Sequence, residues 1–266
     1  MHTRVSWAEL PDQVRRLIEH ETGPFAAGMH MPSGSNCLLA LAMTTEGGDR
    51  YFLKGVPDTA RAVRTQTLEA LVNPYIRDLS APLKFHVAAA GWDVLGFRYL
   101  AEHRHADLRP GSPDLDLIAN LLGRLAAVSP PEGLALRTMS DRYANYAGDH
   151  ADLLDGATIA HTDMQAHNIL IGSTARLVDW AWPTLAAAWV DTAFLALHMI
   201  RAGHHPKDAE RWAETVPTYA TAADEAVSTL VAGNVAVWDE IASADPKPWK
   251  LDVFDAARRW AHHRGL

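Results

Sequence analysis

The stretch His161-Thr-Asp-Met-Gln-Ala-His-Asn-Ile-Leu-Ile-Gly-Ser-Thr-Ala-Arg-Leu-Val-Asp-Trp180 decides how this chain is read. Asn168 opens an apolar run, Ile169 to Ile171, and Gly172-Ser173-Thr174 supplies a turn. A second run, Leu177 and Val178, ends at Asp179. Two short apolar runs around such a turn predict a β-hairpin. A hairpin returns its two ends to one place. Asn168 and Asp179 are therefore expected to serve one metal ion, with Asp163 in the loop just before.

Three readings of this stretch compete. His161-x-Asp163-x-x-x-His167 has the ligand types of a transition-metal site. That reading leaves Lys54 and the second aspartate unexplained. A structural loop with chance polar residues explains neither. Phosphoryl transfer makes specific demands: a carboxylate to take the hydroxyl proton, an Asn and an Asp to hold Mg²⁺, and a lysine on the nucleotide phosphates. Asp163, Asn168, Asp179 and Lys54 meet them.

Lys54 closes an apolar strand, Tyr51-Phe52-Leu53. It is either solvated at the strand end or turned inward and paired. The helical segment Ala60 to Val72, expected to stop at Asn73-Pro74, contains one acid, Glu69. An inward Lys54 paired with Glu69 makes a fixed cation for phosphate oxygens. Upstream, Ser6 to Glu9 has capping-box spacing, and Leu10, Val14, Leu17 and Ile18 recur at helical intervals up to Gly23-Pro24. Between Met31 and Asn36, the turn Ser33-Gly34-Ser35 is a candidate for laying backbone N–H groups over phosphates. It is neither a G-x-G-x-x-G nor a Walker A motif. Strands are expected over Leu38–Met43 and Tyr51–Lys54, and two more between Lys84 and Leu100 around a Gly91-Trp92 turn.

A polar, turn-rich segment, Glu102 to Pro113, marks the change to helices. Ser112-Pro113 caps a helix with the stripe Leu115, Ile118, Leu121, Leu122, Leu125 and Val128. Helices are also expected over Arg142–Leu154, Leu185–Met199, and near 207–215, 219–243 and 251–264. The second of these is apolar nearly all round yet contains Asp191, which needs a partner. The loop around His161–Asp163 is the candidate. Trp180, Trp182 and Trp189 crowd beside the motif. They read as core, with Trp182 the option for a pocket wall.

The remaining composition bounds the function. The chain has 266 residues, 48% of them apolar, and a net charge of −8 without a basic block. Nucleic acid is therefore not expected as the main partner. No apolar run has the length of a membrane span, and the start has no apolar leader. Cys37 is the single cysteine, so no internal disulfide forms. A cytoplasmic protein without membrane partners is expected. Nothing specifies an oligomeric state.

His161-x-Asp163-x-x-x-x-Asn168 followed by Asp179-Trp180 resembles the catalytic and metal-binding loops of the aminoglycoside phosphotransferase and choline-kinase branch of the protein-kinase-like fold. The details resemble actinobacterial members of that branch. The resemblance covers nearly the whole chain and implies an α+β, bilobal fold. The small antiparallel-sheet lobe would span residues 1–100 with a hinge at its end, and the mainly helical lobe 101–266. It implies ATP (or GTP) and Mg²⁺ as cofactors. Lys54 and Glu69 match the nucleotide lysine and its helix glutamate, Phe97, Tyr99 and Leu100 the hinge that takes the adenine, and Ser33, Gly34 and Ser35 the phosphate-covering turn. Asn168 and Asp179 match the metal ligands and Asp163 the base, while His161 and Asp191 support the loop. The family's usual glycine after the motif histidine is Thr162 here, and Met164-Gln165-Ala166-His167 departs from its Leu, His, Pro and Gly pattern. The implied acceptor is a hydroxyl of a small molecule, an aminoglycoside-like antibiotic or a metabolite. Asp224, Glu225, Asp239 and Glu240 are candidate acids for an amine-bearing acceptor, or simply a solvated helix face. The alternatives are a kinase acting on Ser/Thr of a biosynthetic peptide and a nucleotide-binding pseudokinase scaffold.

Overall fold

Alternation of Leu39, Leu41 and Met43 with Ala40 and Ala42 sets the first layer of the protein. The computed structural model describes residues 4–31, 37–130 and 132–266. Ser33, Gly34 and Ser35 lie outside the described residues. The chain forms two compact units, Met1–His103 with Val178–Ala181, and Arg104–Leu177 with Trp182–Leu266.

In the first unit, β1 (Phe25–His30), β2 (Leu39–Thr45), β3 (Arg50–Pro57), β4 (Leu83–Ala89) and β5 (Trp92–Arg98) form an antiparallel sheet in the order β1-β2-β3-β5-β4. Helix α1 (Asp12–Thr22) covers one face: Val14 and Ile18 pack with Leu39, Leu41, Met43, Leu53, Phe85, Val87 and Val94. Helix α2 (Val63–Ile76) lies on the other, where Ala70 packs with Phe52, Leu95 and Phe97. Both faces of β3 and β5 are thus buried, so these strands read as apolar runs rather than as alternating ones.

Several boundaries differ from the sequence reading. The Ser6–Glu9 pair, in which Ser6 N–H donates to Glu9 Oε2 at 2.7 Å, closes a 3₁₀ turn over Trp7–Glu9. Helix α1 starts afresh after Pro11, and Leu17 on it is 41% exposed. Helix α2 runs through Pro74 to Ile76 instead of stopping at Asn73. So close to the helix end, proline forfeits one backbone bond. Val72 and Ile76 are fully buried, and Asn73 bridges Ala81 O (2.9 Å) and Leu83 N (2.7 Å). The β4–β5 turn is Ala90-Gly91, both at positive φ, with Trp92 already in the strand. Strand β1 had no sequence signal. It is an exposed edge strand held by its ladder to β2.

The second unit is mainly helical. Its elements are β6 (Arg104–His105), α3 (Asp114–Leu125), β7 (Arg137–Thr138), α4 (Met139–Tyr143), β8 (Thr158–Ala160), β9 (Ile169–Ile171), β10 (Ala175–Leu177), β11 (Thr184–Ala186), α5 (Val190–Arg201), α6 (Pro206–Ala213), α7 (Pro217–Ala220), α8 (Asp224–Ala244) and α9 (Pro248–His263). Strands β9 and β10 form the hairpin, paired Ile169↔Leu177 to Ile171↔Ala175, with β6 added at its edge. Strand β11 lies between β7 and β8. The α3 stripe from Leu115 to Leu125 is buried. The helix expected over Arg142–Leu154 is instead the short α4 followed by a 3₁₀ segment, Gly148–Leu154, entered at Gly148 with φ 55°. The helix expected from Leu185 begins at Val190, because Thr184–Ala186 pairs with β8. Asp191 is thereby placed in the first turn of α5. No described helix is long and apolar enough to cross a membrane.

Gly96 of β5 is required by the sheet packing. A Cβ there would stand 2.1 Å from Cζ of the buried Phe85 ring. Gly96→Ala should destabilise the protein by about 1–3 kcal/mol in urea unfolding, and Phe85→Leu in the same chain should return part of the loss.

Candidate functional site

In the first unit the site is built on β3 and α2. Leu53 faces α1, so Phe52 and Lys54, on either side of it, face α2. Lys54 Nζ lies 2.7 Å from Glu69 Oε2 and 2.5 Å from Asp179 Oδ1. Burial pulls the ammonium toward neutrality, but the charges of Glu69 and Asp179 outweigh it and raise its pKa above the ordinary lysine range. Glu69 uses its other oxygen, Oε1, to accept from Trp180 N–H at 3.1 Å. The Trp180 side chain is fully buried, and Asp179 beside it takes a left-handed backbone, φ 63°. One turn before Glu69, Gln66 Nε2 donates to the buried Asp93 of β5 at 2.5 Å, which fixes α2 on the sheet.

The residues expected to form the hinge are in the same unit. Phe97 is buried in β5 opposite Phe52. Tyr99 and Leu100 follow the strand. Tyr99 N–H donates to Arg50 O at 3.2 Å, and its ring lies 4.0 Å beneath the Arg50 guanidinium. Leu100 packs against the Leu95 and Phe97 cluster.

In the second unit the loop between β8 and β9 carries His161, Asp163 and Asn168. Asp191 is fully enclosed and accepts two backbone N–H bonds, Oδ2 from His161 at 2.7 Å and Oδ1 from Thr162 at 2.8 Å. Burial pushes the Asp191 carboxyl up, while His161 and these two bonds pull it back down. The His161 ring, also buried, accepts Asp163 N–H at Nδ1, 3.2 Å. Asn168 Nδ2 donates to Asp163 O at 3.1 Å, so its amide oxygen is turned the other way. Gln165 donates to Asp163 Oδ1 at 3.0 Å and accepts from Arg201 at 3.5 Å. Among the described residues no three His, Cys, Asp or Glu side chains assemble as a metal ligand set.

Two residues of this region carried no sequence signal. Arg142 of α4 is half-buried and bonds Thr162 Oγ1 (2.5 Å), Thr184 Oγ1 (2.8 Å) and Trp182 O (3.2 Å). His198 of α5 is enclosed. Burial pushes its imidazole down to about 4, against the charge of Asp163, which acts to raise it. Neither stands at a motif spacing, so nothing local in the sequence marks them. Trp180 and Trp189 are each buried, whereas Trp182 is 49% exposed. Of the candidate acids on α8, Asp224 pairs with Arg264, Glu225 lies 3.6 Å from His150, Glu240 accepts from Tyr146 at 2.7 Å, and Asp239 is exposed.

No protein-family model matches the sequence, and no curated protein does. Solved structures match it over nearly its whole length. Choline kinase LicA from Streptococcus pneumoniae superposes with a TM-score of 0.63 at 13% identity, covering 95% of this chain and 100% of that one. The aminoglycoside phosphotransferase from Alicyclobacillus acidocaldarius gives 0.58 at 13% identity, over 96% and 93%. Amicoumacin kinase hAmiN, in complex with AMP-PNP, Ca²⁺ and Ami, gives 0.60 at 11% identity, over 93% and 94%. The fold is protein-kinase-like. At these identities the likeness is one of fold.

His198 gives the second unit a pH dependence. Between pH 6.5 and about 4 the unfolded chain binds a proton that the folded imidazole refuses. Stability should therefore fall as pH is lowered through that window, by roughly 3 kcal/mol from this group. His198→Gln should flatten the pH profile of urea midpoints there relative to the native chain.

Proposed function

We propose that the chain is a phosphotransferase that moves the γ-phosphate of ATP or GTP to a hydroxyl of a small molecule. The observation that carries this reading is the enclosed ammonium of Lys54, held by Glu69 and Asp179. A lysine kept charged inside a protein is a fixed cation for phosphate oxygens. The neighbours in fold are choline, aminoglycoside and amicoumacin kinases, which favours a small acceptor over a peptide.

The roles follow from the chemistry of each side chain. Lys54, oriented by Glu69, contacts the α- and β-phosphates. Phe97, Tyr99 and Leu100 take the adenine, and the turn Ser33-Gly34-Ser35 covers the phosphates with backbone N–H groups. Asp179 offers a carboxylate and Asn168 its amide oxygen, left for a ligand because the NH₂ bonds Asp163 O. These hard oxygen donors fit Mg²⁺, which neutralises charge on the phosphates when bound. Asp163 orients the acceptor hydroxyl and takes its proton as that oxygen bonds the γ-phosphorus and the bond to the β-phosphate oxygen breaks. His161 and Asp191 hold the loop without entering the reaction. The sheet unit with its hinge is the nucleotide-binding part, and the helical unit the acceptor-binding part.

Mg²⁺-dependent ATP or GTP should raise the melting temperature, and ATP should be consumed with one member of a panel of aminoglycosides, macrolides, choline, nucleosides and Ser/Thr peptides. Asp163→Asn should lower that turnover by about 10²–10⁴-fold while leaving the nucleotide-induced melting shift. Full turnover in that variant would refute the assignment of Asp163. Nucleotide binding without turnover on any acceptor would favour the pseudokinase instead.

A further inference from the structure

Thr162 is the least comfortable backbone position of the loop. Its φ is 65°, and it is β-branched. Left-handed backbone is disfavoured for every residue with a Cβ and most of all for branched ones. Such a conformation persists only where its surroundings over-determine it. Glycine would take this backbone without steric cost.

The surroundings here are specific. Thr162 N–H is held by Asp191 Oδ1 at 2.8 Å. Thr162 Oγ1 donates to Trp182 O at 3.0 Å and accepts from Arg142 Nη1 at 2.5 Å, so the single hydroxyl proton has one direction. Arg142 also bonds Trp182 O and Thr184 Oγ1, tying the loop to the strand β11. Its charge faces both Asp163 and Asp191. The next residue is Asp163, whose own N–H and C=O are bonded to His161 and Asn168. The backbone turn at Thr162 therefore sets where the Asp163 carboxylate points.

We infer that Arg142 is a positioning residue for Asp163: it holds Thr162 in the left-handed conformation and so fixes the loop that presents the carboxylate. The role of Asp163 in phosphoryl transfer rests on the function proposed above, whereas the hold on Thr162 does not. The arrangement makes Arg142 necessary because residue 162 is a threonine. A glycine there would release the dependence.

The test is a cycle of Arg142→Met and Thr162→Gly, alone and together, with Arg142→Lys as the conservative variant. Amide hydrogen exchange of residues 161–163 and Mg²⁺-dependent ADP release from ATP, in water and with the panel acceptors, are read beside the melting temperature. Arg142→Met should speed exchange at 161–163 by about tenfold or more. It should lower kcat by about tenfold or more with KM for ATP within about twofold, since geometry and not nucleotide binding is lost. Arg142→Lys should recover part of both. In the Thr162→Gly chain, Arg142→Met should cost less than about threefold in either reading. Equal losses in the two backgrounds would overturn the inference. So would a lower melting temperature with unchanged exchange and kcat. If Asp163→Asn turns over like the native chain, or no turnover is found, the phosphotransferase reading fails. The exchange cycle still decides the role of Arg142.

Discussion

A cation inside the first unit, bound by two carboxylates, constrains most of what surrounds it. Lys54 needs both Glu69 and Asp179, because an uncompensated buried charge costs about 3–5 kcal/mol. Meeting that need fixes three things together: the face of β3 that turns to α2, the rotation of α2 that brings Glu69 inward, and the return of Val178–Ala181 to a unit whose other residues all precede Arg104. Trp180 strengthens the last of these, with its side chain fully buried and its N–H on the same glutamate. Asp93 does a parallel service for α2 one turn earlier by holding Gln66.

The second unit solves a different problem with the same kind of group. Asp191 neutralises no lysine. It collects two backbone N–H groups of a loop that has no regular partner for them. Glu69 and Asp191 are both expensive to bury, and each is justified by the hydrogen bonds it accepts. The loop then has little freedom: His161, Thr162 and Asp163 are held through their backbone N–H groups, and Asn168 through its side-chain amide on Asp163 O. The same fold hosts choline, aminoglycoside and amicoumacin kinases, so the fold alone does not specify an activity.

Much of this was legible in the residues. The hairpin β9–β10 was plain from two apolar runs and a Gly-Ser-Thr turn. A lone acid in the helix after Lys54 pointed to Glu69. An aspartate in an apolar helix demanded a partner, and the loop was the nearest polar candidate. What the sequence did not carry were features without local signal. Strand β1 has an exposed, unbranched sequence and exists only because β2 offers it a ladder. Pro74 reads as a helix stop, and packing of Ile76 and Val72 overrides it. Leu185 reads as helix until β8 and β7 claim it as strand. Arg142 resembles any surface arginine until Thr162, Trp182 and Thr184 converge on it.

By itself the sequence determined the chemical inventory: a lysine strand, a glutamate helix, and an Asp, Asn and Asp series around a hairpin, at spacings that local periodicity makes readable. Tertiary structure decided which charges meet and which backbone groups they satisfy. Those choices depend on contacts between residues far apart in the chain, such as Lys54 with Asp179 and Arg142 with Thr184. Burial, which no residue carries alone, sets their worth.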